Sequence, residues 1–163
     1  MRFIRICLVV SVMMMWLSSC GFELRHQPLS SKNLDKISFS SNTKYGHLET
    51  EIKQKLQRHH VALVPHNTSG VVKLKIVQSE MNQSTLALYS SGMVAEYALL
   101  LHIDYSLQLP QQEALSKQLN IRRYYRASVA SALAKDREVQ LIGREMQQEA
   151  AEKILHQLML VSE

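Results

Sequence analysis

The chain has 163 residues, 19 Lys plus Arg against 14 Asp plus Glu, and a formal net charge of +5. So mild an excess is not the footprint of a nucleic-acid binder, and two cysteines, Cys7 and Cys20, are too few for a disulfide framework. The length suits one domain with a real core.

Arg2 and Arg5 make a short basic opening, and residues 6–17 then carry no charge and one polar side chain, Ser11. That apolar run is too short to cross a ~30 Å hydrocarbon layer as a helix. A positive start, a short apolar core and small residues at its end describe an export signal. Its last residues, Leu17-Ser18-Ser19-Cys20, resemble the bacterial lipobox. Small residues let the peptidase reach the backbone, and the thiol is what carries the diacylglyceryl group. The expectation is that residues 1–19 are removed and that Cys20 becomes the lipidated first residue. Three acyl chains at ~0.8 kcal/mol per buried methylene make such an anchor effectively permanent. Cys7 leaves with the signal, so the mature chain keeps no free thiol and no disulfide. Losing Arg2 and Arg5 brings the net charge to about +3. Export makes nucleic acid an improbable partner and points to an acidic lipid such as lipopolysaccharide.

Residues 20–33 form the lipidated start and a tether, with Pro28 and serines arguing against a regular element. One domain is expected over 34–159, followed by a short tail at 160–163. Ile37 and Phe39 alternate within 34–41, a modest strand signal. Leu48, Ile52 and Leu56 recur every four residues over 46–60, with Glu49 and Glu51 early and Lys55, Arg58 and His59 late, which is a short amphipathic helix. His59 and His60 point about 100° apart on a helix, so they cannot chelate one ion together, and no metal site is expected.

"HNTSG" at 66–70 reads as a loop. Val72, Leu74 and Ile76 then share one face of a long strand over 71–89, whose pattern breaks in "QSEMNQST", which suggests a bulge or a change of face. "SSG" at 90–92 makes a turn. The next strand has the clearest period in the chain. Ala95, Tyr97, Leu99, Leu101, Ile103, Tyr105, Leu107 and Leu109 occupy odd positions, with mostly polar residues opposite. His102 and Asp104 share the wet face, yet no nucleophile motif accompanies them, so a solvated face is the expectation. "PQQE" at 110–113 turns the chain into a returning strand with Leu119, Ile121 and Tyr125 on one face, interrupted by Arg123. Arg122, Tyr124 and Arg126 lie on the other. The final segment, 131–158, carries a stripe of Val139, Ile142, Met146, Ala150, Ile154 and Leu158, with Ser131 as N-cap, and is a long amphipathic helix.

Two helices with one apolar stripe each and a sheet with one apolar face fit a two-layer α+β sandwich. Four strands are expected, mostly antiparallel, with both helices packed on one face. There is no Gly-rich phosphate loop, metal-ligand pair or nucleophile elbow, which favours a binding role over an enzyme and calls for no cofactor. One constellation stands out. "IRRYYR" at 121–126 interleaves three arginines with two tyrosines, and Lys135 follows at the start of the last helix. Arginine forks match phosphate geometry and a helix N-terminus favours anions. A basic edge strand guarded against aggregation has the same composition.

Three segments in order resemble one family. "SSCGFELR" at 18–25 is similar to the mature start of the lipopolysaccharide-assembly lipoprotein family LptE. "GMVAEYALLLHIDYSL" at 92–107 is similar to its central strand, and "ALAKDREVQLIGREMQQEAAEKILHQL" at 132–158 to its final helix. The resemblance implies a four-stranded sheet with two helices. It also implies a protein that plugs the outer-membrane barrel LptD, the pair delivering lipopolysaccharide to the outer leaflet. Gly21 after the cysteine is not the aspartate that retains lipoproteins in the inner membrane. Lys135 matches a family lysine proposed to contact lipopolysaccharide, and Arg123 matches a basic residue of the penultimate strand. Ser90 stands where some members carry an arginine at the hairpin tip, which leaves Arg122, Arg126 or Lys135 to supply charge. A peripheral envelope lipoprotein with a different partner and no barrel is the other reading.

Overall fold

The computed structural model describes residues 34–42, 46–127 and 132–162. The expected signal, Cys20, the tether and the Ser131 cap lie outside them. Five strands and two helices follow in the order β1 (Lys36–Ser41), α1 (His47–Arg58), β2 (Ala62–Val64), β3 (Val72–Leu88), β4 (Val94–Gln108), β5 (Leu115–Arg126) and α2 (Ala132–Ser162).

The sheet is five-stranded and mixed, in the order β2-β1-β3-β4-β5. This corrects the expectation of four mostly antiparallel strands. β1 runs parallel to both β2 and β3, while β3, β4 and β5 are antiparallel to one another. The extra strand spans only three residues, with Ile37 opposite Leu63 on one side and Val72 on the other. Three residues hold no period to read. The parallel pairing arises because α1 carries the chain back alongside β1, as in any strand-helix-strand unit. A strand only ~10 Å long then needs no second helix to return. The loop over 65–71 is enough. That loop brings His66 within 3.4 Å of the Ser38 hydroxyl, and Ser38 is fully buried.

The core lies between the sheet and the helices. Leu48, Ile52 and Leu56 of α1 are buried, as are Met146, Ile154 and Leu158 of α2. They meet the odd positions of β4, where Leu99, Leu101, Ile103 and Tyr105 are closed to solvent. Each such aliphatic side chain contributes ~1.5–3 kcal/mol by burial. α1 ends where His60 takes a left-handed φ of 59° and the amides of His60 and Val61 bond back to Gln57 and Leu56. Glu49 is a surprise, because its carboxylate is buried in the first turn of α1 and accepts a 2.8 Å bond from the Ser41 hydroxyl. A Cβ on Gly46, the N-cap, would run into that carboxylate, so a larger residue there would have to push the Glu49 side chain aside.

The register shift in β3 falls at Val77, between the Ile76–Tyr105 and Gln78–Asp104 pairs, just before the segment in which a bulge or a change of face is expected; the ladder then runs unbroken to Thr85, with the odd positions of β3 now opposite the odd positions of β4. Further irregularities follow near Leu86, and the hairpin closes with the Tyr89 amide donating to the Met93 carbonyl. Gly92 turns there at a φ of +82°, a conformation that costs other residues a Cβ clash. Both helices leave the opposite face of the sheet uncovered. Among the described residues no helix is long and apolar enough to cross a membrane.

Candidate functional site

The basic cluster read from the sequence is divided by the sheet. Tyr97 of β4 pairs across to Tyr125 of β5, both on the helix side, and their rings stack with centroids 5.3 Å apart. Stacked aromatics hold their geometry beyond what burial alone provides. α2 starts beside them and sets the Lys135 ammonium 4.2 Å above the Tyr97 ring. The π face attracts the cation without neutralising it. Among the described residues no carboxylate closes an ion pair with Lys135. The charge therefore sits, partly buried and oriented, in the first turn of a helix whose dipole also favours anions. Burial raises the pKa of the Tyr125 phenol, helped by Tyr97 and Glu138, and its hydroxyl has no hydrogen-bond partner among the described residues.

Arg123 also faces the helices, opposite Leu99. There it forms an ion pair with Glu149 of α2, and Lys153 binds the same carboxylate at 2.7 Å. The Lys153 bond, and then the Arg123 charge, hold Glu149 below the usual glutamate range. This pairing explains the arginine that interrupts an apolar strand face. It also means that Arg123 is already partnered. Arg122 and Arg126 project from the other face of the sheet, opposite Leu100 and Glu96. The Arg126 guanidinium lies 3.8 Å from Glu96 and is largely exposed. Arg122 is exposed, and its guanidinium makes no ion pair among the described residues. So Lys135 and Arg123 share one side, and Arg122 and Arg126 the other, around the same end of β5.

The wet face holds a second polar group. His102 donates or accepts at 2.7 Å with Asn120 and lies 3.3 Å from Asp104. The Asn120 bond, and then the Asp104 and Glu80 charges, raise the imidazole's pKa against the opposing effect of desolvation. No nucleophile motif accompanies the pair, and among the described residues no group of three metal-ligating side chains converges.

The sequence held no sign of Tyr97 as the seat of Lys135, nor of Glu149 as the partner of Arg123. Both partnerships join residues more than twenty positions apart, which no local spacing encodes. Exposed apolar side chains at the hairpin tip were equally hidden, since they read as ordinary strand residues.

The sequence profile of the LptE family, described as lipopolysaccharide-assembly, matches residues 34–158. The chain belongs to the LptE family. It is 29% identical over 162 residues to the LPS-assembly lipoprotein LptE of Yersinia enterocolitica, covering 99% of this chain and 78% of that one. The same-named protein of Yersinia pestis is 28% identical over the same span. Among solved structures, the rare lipoprotein B of Shewanella oneidensis superposes with a TM-score of 0.74 at 33% identity, over 77% of this chain and 95% of that one. Lipoprotein B of Nitrosomonas europaea, at 20% identity, shares the fold with a TM-score of 0.71, over 87% of this chain and 92% of its own. The matched span of this LptE-family chain takes in Tyr97, Tyr125 and Lys135 alike.

Proposed function

We propose that this chain is an outer-membrane lipoprotein, anchored through Cys20 after loss of residues 1–19. Its single domain over 34–159 seats in the lumen of an LptD-like β-barrel, from the periplasmic side. There it helps assemble the barrel and takes part in inserting lipopolysaccharide into the outer leaflet. Its role is binding and positioning, not catalysis, and it uses no cofactor and no nucleic acid. Family membership supports assembly of lipopolysaccharide as the process, and the names of the Yersinia relatives support the lipoprotein anchor.

The observation that carries the lipid contact is the Lys135 ammonium held over Tyr97 with no carboxylate partner among the described residues. A cation already oriented gives up little side-chain entropy when a phosphate arrives. Arg126 and Arg122 add charge from across the sheet, and Arg123, on the same side as Lys135, shares its guanidinium between Glu149 and the phosphate. Charge-assisted bonds are worth ~1.5–3 kcal/mol each. Lys135→Ala is expected to weaken lipopolysaccharide binding by about tenfold while the barrel complex persists. The test is affinity for purified lipopolysaccharide, alongside capture from outer membranes of a near-equimolar complex with a large β-barrel. Capture without a barrel would favour the peripheral-lipoprotein reading. Unchanged lipid affinity would reduce Lys135 to a solvated helix end.

A further inference from the structure

β5 pairs only with β4, so one long side of it faces no other strand. β2, at the opposite edge, has three residues. β3 is free beyond Ile76, but register shifts at Val77 and near Leu86 interrupt it, and such irregularities blunt an edge. β5 has none. Its twelve residues pair one for one with β4 from Leu115 to Arg126, and it contains neither proline nor glycine. At the next rung the Ala127 amide donates to the Ala95 carbonyl. Bonded rungs alternate in an antiparallel ladder. The odd residues of β5 therefore bond to β4, and the even ones direct their amides and carbonyls outward. Among the described residues nothing bonds to the outward amides of Ser116, Gln118, Asn120 and Arg122. The Arg122 carbonyl accepts from the Arg123 guanidinium at 3.1 Å, which caps the edge at that point.

The open half of this edge borders a groove. It has a volume of about 280 Å³ and is lined by Leu119 of β5 and by Glu152, Lys153, His156 and Gln157 of α2. The odd residues of β5 turn to this side. Leu115 is 51% exposed, and Lys117 reaches across to the Gln157 side chain at 3.2 Å. The groove's own carboxylate, Glu152, is bound by Lys55 at 2.7 Å. Glu149, further along the helix, is taken by Arg123 and Lys153. β5 itself carries Lys117, Arg122, Arg123 and Arg126, with no aspartate or glutamate. The groove side of the open half thus reads apolar, cationic, apolar at Leu115, Lys117 and Leu119.

An open backbone ladder beside a helix-walled groove is the geometry that accepts an added strand. Main-chain bonds hold such a strand, and the groove reads its alternate side chains. The charges of β5 decide which strand fits. A second copy of β5 would set cation against cation. The chain's own segment 21–33 has Arg25, His26 and Lys32 against Glu23, and its Pro28 has no amide to donate. We infer that the edge of β5 from Leu115 to Arg122 takes an extended, acidic segment of the barrel partner as an additional strand. An acidic side chain lies over Lys117, with apolar ones over Leu115 and Leu119. This rests on the barrel partnership proposed above and names the surface that makes it and the kind of segment it binds.

The test uses the purified full chain, alone and in complex with the barrel, and reads amide hydrogen exchange residue by residue. In the isolated chain the amides of Ser116, Gln118, Asn120 and Arg122 should exchange fast and those of the odd residues between them slowly. In the complex the even amides should slow by about tenfold or more, the signature of strand pairing. Gln118→Pro removes one outward donor at an edge that tolerates proline. It is expected to leave urea unfolding near that of wild type and to weaken the barrel complex about tenfold. Lys117→Glu keeps every backbone bond. It is expected to weaken the complex about tenfold at low salt, with the difference closing at high salt. Neither residue belongs to the proposed lipid contact, so lipopolysaccharide affinity should hold in both. Even amides that exchange as fast in the complex as in the isolated chain overturn the inference and leave the barrel partnership standing. Unchanged barrel affinity of Lys117→Glu overturns the acidic character of the segment. Slow exchange in the isolated chain at every concentration would give the edge to the chain's own N-terminal segment. Slow exchange that appears only as concentration rises would give it to a second copy, and either result overturns the inference. If Gln118→Pro fails to fold, the exchange pattern and Lys117→Glu decide alone. If wild type forms no complex with the barrel, the proposed partnership itself fails and this inference falls with it.

Discussion

Replacing Tyr97 by leucine removes a ring that does two things. It stacks on Tyr125 at 5.3 Å and carries Lys135 at 4.2 Å. Leucine restores most of the apolar volume, so the loss is confined to those two interactions. The aromatic pair is worth ~0.5–1.5 kcal/mol beyond area. A partly buried cation on a ring adds ~0.5–2 kcal/mol. Tyr97→Leu is therefore expected to cost about 1–3 kcal/mol, and Tyr97→Phe, which keeps the ring, well under 1 kcal/mol. The assay is equilibrium unfolding in urea. With a slope of ~1–3 kcal/mol per molar, the leucine variant's midpoint should fall by roughly 0.5–1.5 M at unchanged slope. A cycle with Lys135→Met isolates the lysine's share, for which a coupling of ~0.5–1.5 kcal/mol is expected. Additive single effects would refute the cation-ring interaction. A phenylalanine variant as unstable as the leucine variant would refute the stacking, since phenylalanine differs from tyrosine only by the hydroxyl.

Leu101 is closed to solvent while His102 opens to the wet face, so Leu101→Asp should cost several kcal/mol and His102→Gln under about 1 kcal/mol. Equal losses in urea unfolding would sink the register of β4. Gly46→Ala forces the Glu49 carboxylate from its buried seat and its bond to Ser41, at about 1–3 kcal/mol. In a Glu49→Ala background the same change should cost almost nothing, which thermal unfolding of the two pairs can check. Glu149 has a depressed pKa, from Lys153 first and then Arg123. Its contribution is present above the ordinary glutamate range and is lost as pH falls through the lower folded-state value. Unfolding followed from neutral pH into acid should be less pH-dependent in Glu149→Gln, and an identical slope would exclude Glu149 as a source of acid sensitivity.

How far the sequence alone reaches is visible strand by strand. The odd-position apolar run of β4 and the stripes of α1 and α2 announce themselves, because period 2 and period 3.6 each leave a mark within a dozen residues. The two-layer arrangement follows, since every apolar face must be covered by another. The change of pattern in β3 was legible as well, although the register shift behind it sits at Val77, one residue ahead of the segment where the pattern breaks. β2 was illegible because three residues carry no period, and the parallel pairing of β1 with β2 and β3 is set by how α1 and one loop return the chain.

At the candidate site the sequence determined which side chains carry charge and rings, and that Lys135 opens a helix. Only the tertiary structure decided what each of them does. It turned Arg123 inward to Glu149, sent Arg122 and Arg126 to the far face, and placed Lys135 on the ring of Tyr97. The physical reason is range. Backbone periodicity is written between neighbours, whereas an ion pair or a ring contact joins residues whose separation along the chain bears no relation to their distance in space.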